Sequence, residues 1–338
     1  MNTHLRPMSL GEILDRTAQL YRSNFLLFAG IASVYAGSLM ALGLAHIGVQ
    51  ELFKAWHWTN QLLLLAGASL VVQFVVSFVL GGVAVGANNR AVAWAHLGQK
   101  ATIRDAYRSV LPRFGSFVWL MTIMTFVLWT PLGIGYGCFA GLMYWYTMHT
   151  KNGVHPDQGT TVLFGLLFLG VLAVLFVGFV YGVLMGLRYA LAIPVWVVEE
   201  TKARAAIRRS IELSQGSRGR IFMLGLLVAT IEIVLVGVSQ SFFIFLAFKN
   251  RMVLPTWAMV AQQLVGFATS SFILPMYGTG ITLFYYDQRV RKEGFDIEWM
   301  MQAAGLDAVV APAGLPVSSG PVREIVEAPQ IEPHGEQP

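Results

Sequence analysis

Residues 160–198 read "TTVLFGLLFLGVLAVLFVGFVYGVLMGLRYALAIPVWVV" and carry a single charged side chain, Arg188. No surface segment of a soluble domain looks like this, because a helix that meets water needs a polar face. A helix needs roughly 20 apolar residues to cross a hydrocarbon core, and in that medium its backbone polar groups must be satisfied internally. The stretch therefore reads as a membrane-spanning helix with length to spare. Comparable runs lie near 25–47, 61–86, 114–145, 221–247 and 257–286, which makes six. Across all 338 residues, 56% are hydrophobic and only 12% charged, a balance that would leave a soluble chain with excess apolar surface. The third and fourth runs exceed what a crossing requires, and each contains a proline, Pro131 and Pro194, so a kink, a tilt or a projection beyond the bilayer is expected there. The polar opening and the long first run read as a retained span rather than a cleaved signal peptide.

The connecting segments differ sharply in charge. Of the 23 Lys and Arg residues, 18 fall in the N-terminal segment, the second and fourth loops and the C-terminal tail, against 4 in the alternate loops. The positive-inside rule then places both termini in the cytoplasm of a multi-pass cell-membrane protein. The net charge of +5 becomes a property of that face, and nucleic-acid binding is not needed to explain it.

Three basic segments precede pairs of runs: "SLGEILDRTAQLYRSNF" (9–25), "TIRDAYRSVLPRFGSF" (102–117) and "TKARAAIRRSIELSQGSRGRIF" (201–222). In the first, Leu10, Ile13, Leu14, Thr17, Leu20 and Tyr21 share a helical face, and Ser9 with Glu12 forms a capping box. Thr102 and Asp105 offer a looser version. The expected fold is all-α: a polytopic membrane helical bundle of about six transmembrane helices in three repeats of an interfacial amphipathic helix plus a helical hairpin. The expected layout is an N-terminal amphipathic helix over 1–24, the transmembrane domain over 25–286, a juxtamembrane motif over 287–301 and a disordered tail over 302–338, where "VREIVEA" offers a short helix to a protein partner.

The polar stretch "YYDQRVRKEGFDIEW" (285–299) follows directly on the last apolar run. Its Arg289, Arg291 and Lys292 suit a helix C-terminus and a lipid surface, Gly294 suits a C-terminal cap, Asp296 could cap a second short helix, and Ile297, Trp299 and Met300 suit the interface. Together with Arg104, Arg108, Arg204, Arg208 and Arg209, these cations form a candidate surface for anionic headgroups, each contributing about 1 kcal/mol near the bilayer. Two further ionisable residues lie inside apolar runs, Arg188 and Glu232. A charge at mid-bilayer costs about 2.5–3.5 kcal/mol, and both lie at similar depth, so a mutual pair is one expectation. The alternatives are a snorkelling Arg188 and a neutral, hydrogen-bonded Glu232. The stripes Gly133-Gly137-Gly141 and Gly178-Gly182-Gly186 point to close helix contacts. The single cysteine, Cys138, reads as a packed core thiol, and the seven histidines show no metal-ligand spacing.

"RPMSLGEILDRTAQLYRSNF", "IPVWVVEETKARAAIRRSIELSQGSRGRIF" and "YYDQRVRKEGFDIEW" together resemble the glycerophosphoryl diester phosphodiesterase membrane domain family, over a span from Arg6 to Met300. The resemblance implies a bacterial inner-membrane location and a membrane domain found either fused to a soluble phosphodiesterase barrel or alone. That barrel would need an "HRG" start and an "ENT" follow-up, and neither string occurs. The expected function is a non-enzymatic membrane module without cofactors that organises lipid or a protein partner. A transporter or lipid translocator using the intramembrane polar pair is the first alternative, and a membrane-embedded lipid enzyme the second.

Overall fold

The computed structural model describes residues 6–55, 62–150, 157–251, 253–297 and 301. These residues are helical nearly throughout, with no strand among them. The chain divides after Asp296; of the second unit Ile297 and Met301 are described, both exposed. The tail expected over 302–338, together with Trp299 and Met300, lies outside the described residues.

Helix α1 (Leu10–Ser23) starts where the sequence says it should: Ser9 accepts from the Glu12 amide and Glu12 reaches back to the Ser9 amide. Its face of Ile13, Thr17, Leu20 and Tyr21 is buried. α2 (Phe25–Ala55) follows after one turn residue. α3 (Leu62–Val76) and α4 (Gly82–His96) are joined without a break by a π-helical turn, Ser77–Gly81. α5 (Ile103–Val110), capped by Thr102, leads through a 3₁₀ turn into α6 (Phe114–Thr150). α7 (Gln158–Tyr189), α8 (Ala192–Val198), α9 (Ala203–Ser214), α10 (Arg218–Lys249) and α11 (Thr256–Glu293) complete the order. Six helical segments are long and apolar enough to cross a membrane, which is compatible with a multi-pass membrane protein.

The two proline-bearing runs behave differently. α6 runs unbroken through Pro131. The fourth run stops at Ala190–Leu191 and restarts as α8. Pro194 has no N–H for the Ala190 carbonyl, and its ring crowds that carbonyl, so the helix breaks one turn before it. The Arg188 carbonyl at the end of α7 is taken instead by the Ser210 hydroxyl at 2.9 Å.

α11 is the axis of the bundle. It packs against α2, α4, α10 and α1, and every residue from Gly278 to Gln288 is buried. Around its second half lie the largest fully buried side chains, Trp196, Tyr285, Tyr286, Phe28, Phe117 and Phe284. The α6–α7 hairpin packs chiefly on itself. Of the two glycine stripes, only that of α7 is used within the chain: a Cβ on Gly178 would stand 3.2 Å from the Pro131 carbonyl, and one on Gly182 3.3 Å from the Leu128 oxygen. Gly133, Gly137 and Gly141 face outward with nothing near them, and Cys138 beside them is exposed rather than packed. That corrects the reading of a core thiol: the face of α6 turned to α7 carries Gly135, against Leu175.

Candidate functional site

At one end of the bundle α1, α5, α9 and the last turns of α11 come together, and most of the charge of the chain is found there. Its centre is Asp287, with no exposed side-chain surface. Burying a carboxylate demands several donors, and it has them. Arg291 Nε donates to both oxygens at 3.0 Å, Arg220 Nη1 at 3.2 Å, Gln288 Nε2 at 3.1 Å, and the Met8 amide at 2.7 Å. The same two arginines donate to the Met8 carbonyl at 2.8 and 2.6 Å. One carboxylate and two guanidiniums thus hold the N–H and the C=O of Met8, two residues before α1. The stretch read as a polar boundary also fastens the start of α1 through the buried Asp287, on a helix that continues past the end of its apolar run before Gly294 closes it at φ 65°. The following helical turn starts at Phe295, so Asp296 lies inside it and does not cap it.

A second centre is built on Glu199, just after α8. It accepts from Arg209 at 3.3 Å and from the Tyr285 hydroxyl at 3.0 Å. Arg209 also pairs with Glu293, which takes a further bond from Arg289 at 3.2 Å. Burial works against the Arg209 cation, but Glu199 and Glu293 outweigh it and hold its pKa above the ordinary arginine value. Beside it, Glu200 adopts φ 53°, a left-handed conformation unusual for a residue with a Cβ. Arg113 grips that turn through the Glu200 and Thr201 carbonyls and stacks over Trp196 at 4.7 Å, while Arg90 pairs with the Glu200 carboxylate at 2.7 Å. Lys292 donates to the Glu212 and Gln215 carbonyls at 2.9 and 2.7 Å, at the C-terminus of α9 where a cation is favoured.

Four of the eight basic candidates have partners within the protein, Arg209, Arg289, Arg291 and Lys292, of which Arg291 and Lys292 are also exposed. Carboxylates on their own helix, as for Arg289 and Arg291, or carboxylates and helix-end carbonyls on neighbouring elements, as for Arg209 and Lys292, share these cations. Arg104, Arg108, Arg204 and Arg208 are different. They are exposed and carry no ion pair among the described residues. The apolar faces of their helices are spent on protein: Ala106 and Val110 of α5 are buried, with α5 packed on α4, and Ala203, Ala206 and Leu213 of α9 are buried, with α9 packed on α8 and α7. These helices are docked on the bundle, and only their cationic edges point away.

The intramembrane candidates do not meet. Arg188 lies at the end of α7, its guanidinium near the Met185 sulfur at 3.9 Å and its Nε without an acceptor. Glu232 is exposed on α10. No ion pair joins them among the described residues, because α10 turns Glu232 away from the bundle.

Sequence reasoning missed Glu199, Arg220, Tyr285 and Met8 as partners in this cluster. The Asp287–Arg291 spacing of one helical turn was a usable signal; Glu199 and Arg209 stand ten positions apart across the break between two helices, and Arg220, Tyr285 and Met8 are 67 or more positions from the residues they hold. An apolar cleft of about 230 Å³ also opens between α1, α10 and α11, with the exposed Arg22 at its edge. Among the described residues no three His, Cys, Asp or Glu side chains converge as metal ligands. No family model, curated protein or solved structure matches this chain.

Proposed function

We propose that the protein is a membrane module whose basic end gathers anionic lipid at the cytoplasmic face. The observation that carries this is the set of outward arginines, Arg104, Arg108, Arg204 and Arg208, exposed and without an ion pair among the described residues, where Arg209, Arg220 and Arg291 of the same end are paired. Free guanidiniums on helices already docked to protein have no folding role in sight, and beside a bilayer each is attracted to anionic headgroups. The cleft beside Arg22 fits the same reading, with an acyl chain between α1 and α10 and a phosphate over the arginine.

On this reading α1, α5 and α9 each introduce one of three units, both termini are cytoplasmic, and the resemblance to the glycerophosphoryl diester phosphodiesterase membrane domain describes the architecture without importing a hydrolase. The transport alternative draws on the repeats and the glycine-bearing long helices as well as on Arg188 and Glu232, and those two residues form no ion pair among the described residues. To test the proposal, the protein is reconstituted in mixed phosphatidylglycerol and phosphatidylcholine, and the lipids it retains on purification are quantified. The parent should enrich phosphatidylglycerol, and the enrichment should fall several-fold when Arg104, Arg108, Arg204 and Arg208 are all changed to Gln, and also with added salt. Equal retention by parent and variant would sink it.

A further inference from the structure

A second cavity lies far from the basic end, between α2, the junction of α3 with its π-turn, and α11. It has a volume of about 220 Å³ and is lined by Leu39, Phe267 and four polar side chains, Gln73, Ser77, Gln263 and Ser270. These residues fall in the middle of three apolar helices, where hydrogen-bonding groups are costly unless satisfied. Yet none of the four polar side chains makes a hydrogen bond to another part of the described protein, whereas serines elsewhere in these helices, such as Ser33 and Ser38, bond back to their own backbone.

The backbone is shaped around this space. Ser77 opens the π-helical turn, a local widening of the helix that recurs at functional sites. Gly43 of α2 lies so close to the Gln263 amide that a methyl group there would overlap it. No charged residue lines the space. Two amides and two hydroxyls supply both donors and acceptors, which matches a neutral group that both gives and takes hydrogen bonds. An ionic headgroup would lose its hydration and find no countercharge.

We propose that this cavity binds the hydroxylated, uncharged head of an amphiphile whose chain lies along the surrounding apolar helices. Gln73 and Gln263 grip its hydroxyl groups, with Ser77 and Ser270 completing the set.

The test uses the full-length protein in phosphatidylcholine nanodiscs, with 1-decanoylglycerol as probe and decane and decyl phosphate as comparators carrying no polar head and a charged one. Thermal unfolding is followed as each is titrated. A saturable stabilisation by 1-decanoylglycerol alone is expected, with the apparent Kd raised roughly five- to tenfold in Gln73→Leu and again in Gln263→Leu, the size of one lost hydrogen bond. Both variants replace an unsatisfied amide by an apolar side chain of similar size, so they should fold; circular dichroism and monodispersity check this, and Ser270→Ala serves if either fails. Equal stabilisation by decane would make the cavity an ordinary apolar slot and overturn the proposal. So would unchanged affinity in the folded variants, or no saturable effect in the parent, which would leave a cavity filled by water. Retention of phosphatidylglycerol at the arginines is read separately, so neither result decides the other.

Discussion

Asp287 shows how much a single side chain holds in this protein. Removing it would leave Arg220 and Arg291 facing each other across the Met8 carbonyl, part-buried and without an anion. Asp287→Ala is therefore expected to lower stability by about 2–3 kcal/mol, somewhat below the range for a fully buried pair because both arginines keep some contact with solvent; thermal unfolding in detergent measures it. Glu232 should behave in the opposite way. Exposed and unpaired, it can become Gln with a change within about 0.5 kcal/mol, and combining that change with Arg188→Gln should be additive, since the two never touch. Coupling in that cycle would contradict the arrangement described here. Glu12 sets a pH dependence. Hydrogen bonds from Ser9 hold its carboxyl below its ordinary pKa, so its contribution is complete above the unfolded value and is lost as pH falls through the lower folded one. The protection of amides in the first turn of α1, taken relative to the intrinsic exchange rate at each pH, should fall on acidification, and Glu12→Gln should flatten that response.

At the scale of elements, the two glycine stripes had identical standing in the sequence, and packing separates them. A methyl group on Gly178 meets backbone atoms of Pro131 and Leu132 that cannot move aside, so Gly178→Ala should cost about 1–3 kcal/mol. Gly137→Ala meets nothing and should be neutral or stabilise by up to about 1 kcal/mol through helix propensity. Thermal unfolding of the two single variants side by side reads the difference. The same lesson applies to α5 and α9. Their amphipathic pattern was plain, but a pattern does not say whether the apolar face meets lipid or protein. Docking on α4, α8 and α7 settled it, and with it which arginines remained free. The starts of α1 and α5 were legible to the residue, because a cap is a contact between positions three apart.

For the whole molecule, the alternation of basic and neutral loops yields a topology that reporter fusions can check: fusions after Lys100 and Gly216 should report one side, and fusions after Gly153 and Asn250 the other. If Lys100 and Asn250 reported the same side, the cytoplasmic assignment of the basic end would fall. What the sequence determined by itself was where the long apolar runs lie, the caps at Ser9 and Thr102, and the clustering of positive charge in alternate connecting segments, all of which follow from composition or from neighbours within a turn. What only the tertiary structure decided was the direction each polar side chain faces. Asp287 turned inward, Glu232 outward, Arg209 toward Glu199, and Gln73 and Gln263 toward one cavity, because the rotation of a helix about its axis is set by the helices packed around it. An apolar run with no strong polar face carries little information about that rotation, so the contacts that make the hub and the cavity emerge only when the bundle closes.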